Sequence, residues 1–120
     1  MKRDILLYIQ DIIRSMEAIE QFVEGMDLDQ FIHDDRTSSA VIRKFEIIGE
    51  ASKYIPNDIR NQFPLIPWKE MAGMRDVLIH AYFGIDHQLV WDSIKKEIPG
   101  MKTLLKTMLA DLAKSGNEIS

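Results

Sequence analysis

The sequence predicts an all-α fold, an antiparallel up-and-down bundle of four main helices with shorter helices between them. Three observations carry that expectation. Apolar residues recur at steps of three and four through long stretches, the period of one helical face. No stretch shows the strict apolar/polar alternation of a half-buried strand. The prolines Pro56, Pro64, Pro67 and Pro99 fall at the edges of the periodic stretches, where they punctuate helices.

The first stretch places Ile5, Ile9, Ile12, Ile13, Met16, Ile19, Phe22 and Met26 on one stripe, with Asp11, Arg14, Glu17, Gln21 and Glu24 between them. It reads as a long helix from Asp4 to Gly25, the glycine acting as C-terminal cap. Asp27 to Ser39 mixes Asp, His, Arg, Thr and Ser around Leu28, Phe31 and Ile32, which suggests a short helical turn and then a polar loop. From Ser39 a second stripe runs through Val41, Ile42, Phe45, Ile48, Ala51, Ser52 and Ile55 until Pro56 ends it. Gly49 within it costs about 1 kcal/mol relative to alanine, and its use there is close approach of a neighbouring helix. Asn57 to Pro64 has room only for a short helix.

Pro67 suits a helix's first turn, and Trp68, Met71, Met74, Val77, Leu78, Ala81 and Phe83 continue the pattern to Gly84. Asp86 is placed to cap a helix carrying Leu89, Val90, Ile94 and Ile98, stopped by Pro99. Met101, Leu104, Leu105, Met108, Leu109 and Leu112 mark a last helix, with Lys114 to Ser120 as a polar, frayed end. Residues 1–120 thus read as a single domain without repeats or linkers.

At 120 residues and 46% hydrophobic content there is enough apolar material for one core without a disulfide or structural metal. The absence of cysteine removes disulfide scaffolds, thiolate metal sites and cysteine nucleophiles, and suits a reducing cytoplasm. A net charge of −4 and a pI near 5.3 exclude nucleic-acid binding by bulk attraction, so any such contact must be local. The longest unbroken apolar run is Ile5 to Ile9, far short of the roughly 20 residues of a membrane span. Gln10, Asp11 and Arg14 likewise interrupt the N-terminal stretch before a signal-peptide cleavage site. The expectation is a cytoplasmic protein with no membrane partner.

No P-loop, dinucleotide fingerprint, nucleophile elbow or H-E-x-x-H zinc motif is present. Residues 75 to 82, R-D-V-L-I-H-A-Y, are the exception. On a helix Asp76 and His80 are one turn apart and can meet, and Arg75 and Tyr82 share a face, but Arg75 and His80 diverge by about 140°. One copy does not converge on a substrate, whereas two copies related by a two-fold axis line one cleft with paired arginines, histidines and tyrosines. Asp76 would fix the tautomer of His80 and favour its charged form, suiting it to acid or base work near neutral pH. Each residue also has an ordinary role open to it, Asp76 with His80 as helix-surface pairing and Tyr82 as a core-edge aromatic. His33 and His87 read as solvated, the methionines as core fillers, and the pairs Lys95/Lys96 and Lys102/Lys106 as solvated faces available to a phosphate track. Asp76 and His80 lack a third metal ligand, so neither metal nor cofactor is expected.

At this octet the sequence resembles the HepT-like family, minimal HEPN proteins that act as toxins beside an MNT-type nucleotidyltransferase antitoxin. The resemblance extends through R-D-I-L-L-Y-I at 3–9, A-V-I-R-K-F-E-I-I-G-E-A at 40–51, I-P-W-K-E-M-A-G-M-R-D-V-L-I-H-A-Y-F-G-I-D at 66–86 and V-W-D at 90–92. The family hallmark R-x4-H-x-Y, with a polar residue after the arginine, is met by Arg75, Asp76, His80 and Tyr82. The resemblance implies a HEPN-like bundle that homodimerises around the motif helices and cleaves RNA without metal, as the toxin of a type VII-like toxin–antitoxin system. His80 and Arg75 would be catalytic, Asp76 would orient His80, and Tyr82 would receive AMP from the partner nucleotidyltransferase at the expense of ATP. Lys44 departs from the asparagine common in relatives, and Arg43, Glu46 and Glu50 are either supporting residues or a solvated helix face. The alternatives are a non-catalytic module that binds nucleotide or serves only as the transferase's substrate, and a plain helical adaptor.

Overall fold

The computed structural model describes residues 4–74 and 86–119, with side chains as far as Lys114. Its regular elements are helices α1 (Ile5–Phe22), α2 (Leu28–Ile32), α3 (Asp35–Ser52), α4 (Asn57–Gln62), α5 (residues 68–74), α6 (His87–Asp92), a π-helical segment (Ser93–Glu97) and α7 (Ile98–Ile119). Among the described residues there is no strand, so the all-α expectation holds.

Helix α1 is capped by Asp4, whose carboxylate accepts from the Leu6 amide at 3.0 Å. It ends at Phe22, three residues before the glycine expected to cap it. Gly25 has φ +78° and lets the Met26 amide turn back to the Val23 carbonyl at 2.9 Å. The chain then re-enters helix at once. Asp27 and Gln30 form a reciprocal capping box for α2, each side chain accepting from the other's backbone amide.

The polar loop expected up to Ser39 is instead the first turn of α3. Asp34 caps it, accepting from both the amide and the hydroxyl of Thr37 at 2.9 Å, and Asp35 follows in the first turn, where a negative charge suits the helix dipole. At the other end Arg60 of α4 donates to the Ser52 and Ile55 carbonyls at 2.6 and 2.9 Å, tying α4 to the end of α3, where the Ser52 carbonyl also accepts from the Ile55 amide at 3.3 Å. Gly49 is buried within α3.

Pro99 does not stop a helix. Residues 87–119 form one rod, and at 1.5 Å per residue this accounts for about 50 Å, the long dimension of the molecule. The π segment ends two residues before the proline, and the Ile98 amide reaches the Ser93 carbonyl five residues back. This wider turn draws the preceding carbonyls away from the pyrrolidine ring, whose clash with the i−4 carbonyl and missing donor would otherwise break the helix. The helical backbone of α7 reaches Ile119, into the polar end read from the sequence as frayed.

Helix α1 packs against α3 and α7, and α2 against α3 and α6. The core they enclose contains Ile9, Ile12, Met16, Ile19, Phe31, Val41, Phe45, Ile48, Ile98, Leu105 and Met108, essentially removed from solvent. Burying each large side chain contributes about 1.5–3 kcal/mol, so this seam sets the bundle's stability. Among the described residues no helix is long and apolar enough to cross a membrane.

Candidate functional site

Arg75, Asp76, His80 and Tyr82 all lie outside the described residues. The structure does show how both flanks of the octet are anchored. Upstream, α5 takes its first bond from the Pro67 carbonyl, which accepts from the Met71 amide at 3.0 Å; Pro67 stands just before the helix rather than within its first turn. Trp68 donates from its indole to the Phe63 carbonyl at 3.1 Å, and the Arg60 guanidinium lies 5.7 Å from its ring centroid. Met71 and Met74 are buried, so the residue just before Arg75 is fixed in the core. Downstream, Asp86 caps α6 through the Leu89 amide at 3.0 Å, as its position predicts, and Val90 is buried.

The two lysine pairs differ in a way that spacing did not reveal. Lys102 and Lys106 face α1: Lys102 bonds the Glu20 carboxylate, and Lys106 lies 3.2 Å from that of Glu17. They are cross-helix ties rather than a free solvated face. Lys95 and Lys96 project from the π segment and are exposed. The Lys95 ammonium sits 4.8 Å from the Trp91 ring centroid, and Lys96 makes a loose 3.8 Å pair with Asp92. Trp91 in turn lies against the buried Phe31, ring centroids 5.3 Å apart.

Several other titratable residues have ordinary partners. His33 is exposed and its Nδ1 bonds the Asp29 carbonyl at 2.9 Å, in keeping with the solvated reading. His87 is half-buried and meets the Phe31 ring edge-on at 6.0 Å, so it is an aromatic packing residue more than a loop histidine. Arg43 pairs with Glu46 at 3.1 Å and Glu50 with Lys53 at 3.3 Å along α3. Arg43 and Glu50 also border an open groove of about 220 Å³ between α1 and α3, over which Tyr8 and Tyr54 stack at 4.8 Å. Lys44 is half-buried on the same helix. Met16, Met71, Met74, Met101 and Met108 are core residues, as expected. Among the described residues no three His, Asp or Glu side chains cluster as a metal site would require.

The helical bundle and the anchored octet can be set beside known proteins. The family model described as "Ribonuclease HepT-like" matches residues 12–108, a span that includes the whole octet and both of its flanks. The chain belongs to the HepT-like family. A "Probable ribonuclease HepT" of Thermococcus cleftensis is 51% identical over 102 residues, covering 85% of this HepT-like chain and 93% of that protein. "Putative RNase MJ0125" of Methanocaldococcus jannaschii is 49% identical over 111 residues, 92% of this chain and 96% of the relative. No solved structure matches it significantly. The all-helical bundle described above is consistent with the HEPN-like architecture that the resemblance implies, and the octet falls within the matched span.

Proposed function

We propose that this HepT-like chain is an endoribonuclease, the toxin of an HEPN/MNT pair, acting as a homodimer without a metal ion. The observation that carries this reading is the complete R-D-x3-H-x-Y spacing of Arg75, Asp76, His80 and Tyr82 inside a span that matches a ribonuclease family. In the dimer cleft one His80 takes the proton from a ribose 2′-hydroxyl, and the freed oxygen attacks the adjacent phosphorus. The bond to the 5′-oxygen breaks, and that oxygen accepts a proton from the second His80. Arg75 stabilises the charge that gathers on the phosphoryl oxygens, and Asp76, one turn before His80, orients the imidazole. The products are a 2′,3′-cyclic phosphate and a 5′-hydroxyl, so DNA is not a substrate.

Neutralisation falls to Tyr82. In the partner nucleotidyltransferase its hydroxyl attacks the α-phosphorus of ATP, a tyrosyl-phosphate bond forms and pyrophosphate leaves. Each AMP adds a phosphodiester with about one negative charge beside Arg75 and His80, cancelling the field that attracts RNA and filling the cleft. The test is incubation of a folded RNA with purified protein in EDTA, comparing wild type with His80→Ala. Wild type is expected to leave cyclic phosphate ends, and the variant to be slower by about 10²–10⁴-fold. No cleavage by either, from folded protein whose mass shows Tyr82 unmodified, would replace the enzyme with a non-catalytic nucleotide-binding or substrate module.

A further inference from the structure

We propose that Lys95 and Lys96, presented by the π segment, form a phosphate-binding patch that holds single-stranded RNA. The proposal rests on the ribonuclease reading, and four observations lead to it. A chain carrying −4 can hold RNA only through a local cluster of cations. Of its two lysine pairs, Lys102 and Lys106 are engaged by Glu20 and Glu17 across the α1–α7 seam, whereas Lys95 and Lys96 have no partner from another helix among the described residues.

Lys95 of the second pair is also held in place. The Lys95 ammonium rests over Trp91, and Trp91 rests on Phe31, which is 0% exposed, so a continuous contact leads from the core to the charge. A lysine held over an aromatic ring loses less side-chain freedom when it meets a phosphate. The nearby carboxylates do not cancel it. Asp92 accepts from the Gln88 side chain at 2.9 Å and lies 3.8 Å from the exposed Lys96, a surface pair that a phosphate can displace. Glu97, two positions after Lys95, does not face it.

The position of the pair supplies the fourth observation. The π turn sets both lysines in the segment where the rod departs from regular helix, a feature that recurs at functional sites.

The experiment measures binding of a fluorescent single-stranded 2′-O-methyl RNA of mixed sequence, which retains every phosphate but cannot undergo attack by a 2′-hydroxyl. Affinity is followed against salt for wild type, Lys95→Gln/Lys96→Gln, Lys95→Arg/Lys96→Arg, and a control of equal charge loss, Lys53→Gln/Lys114→Gln. Loss of two phosphate contacts is expected to weaken binding about 25-fold near 0.1 M salt and to flatten the log–log salt slope by about 1.4. The arginine pair and the control should both stay within about threefold of wild type. Circular dichroism of each variant separates loss of contact from loss of fold. A glutamine pair that is folded and binds with the affinity and slope of the control overturns the proposal, and if wild type still cleaves RNA the ribonuclease reading survives it. Wild type that neither binds this probe nor cleaves RNA brings both down together.

Discussion

The α1–α7 seam and the π segment each carry two lysines close together, and the molecule uses them oppositely. On α7, Lys102 and Lys106 stand one turn apart around the fully buried Leu105, opposite Glu20 and Glu17 of α1. On the π segment, Lys95 and Lys96 are consecutive, Lys95 resting over Trp91, which lies against Phe31, and Lys96 pairing only loosely with Asp92 among the described residues. Two lysines in a sequence therefore say little about their use. What decides it is the element packed opposite, which is tertiary information. The seam spends its charges on holding helices together, and the π segment leaves its charges for a ligand.

The largest effect should come from breaking the seam's apolar half. Leu105→Ala removes a fully buried side chain from the middle of that packing, and the lost transfer energy plus the cavity should destabilise the protein by about 2–5 kcal/mol. Urea denaturation measures this. Because the Lys95 support runs through Trp91 to Phe31 and not through Leu105, RNA affinity at temperatures where the variant remains folded should match wild type. A variant that keeps its stability would show that the seam is not the structural half of the molecule.

A sharper comparison exchanges the two pairs directly. Lys102→Gln/Lys106→Gln should cost roughly 1 kcal/mol, since both pairs are partly solvated and such bridges contribute modestly. Lys95→Gln/Lys96→Gln should stay within about 0.5 kcal/mol of wild type, as for surface positions generally. Urea is the suitable denaturant, because guanidinium salt would screen the ion pairs under comparison. Equal losses in the two doubles would erase the distinction drawn here.

The sequence made much of this fold readable and left specific parts closed. The cap at Asp86, the start of α1 next to Asp4 and the apolar stripes of α1, α3 and α7 are local signals, and they lie where local physics puts them. The start of α3 was hidden because Asp, Arg, Thr and Ser from 34 to 39 read as loop composition, and only the two bonds from Thr37 to Asp34 show a cap. Pro99 read as a stop because a proline forbids a continuing α-helix, and nothing in the spacing announces that a π turn will relieve it. The lysine pairs were indistinguishable for want of their partners. For the proposed catalytic motif the order of information was reversed. Spacing identified Arg75, Asp76, His80 and Tyr82 and suggested a two-fold cleft, and the described structure adds the anchors at Met74 and Asp86 that flank them.

Asp34 shows a third use of charge, neither tie nor ligand site, and gives the smallest effect. Its carboxyl is held below the ordinary value of 3.8, chiefly because the Thr37 amide donates to the charged form, with the Thr37 hydroxyl adding to it. A folded value below the unfolded one of about 3.9 means that the fold favours the carboxylate. The stabilisation is therefore complete above the unfolded value and is lost as pH falls through the lowered folded value. Asp34→Asn retains a side-chain acceptor for the cap but cannot titrate. Wild type should consequently lose melting temperature faster than the variant only as pH falls below about 5 towards 2, the gap between them holding from pH 6 to about 5 and narrowing below that. A gap that stays constant would mean that the capping bonds do not distinguish the charged carboxyl from the neutral one, and that Asp34 starts α3 by shape alone.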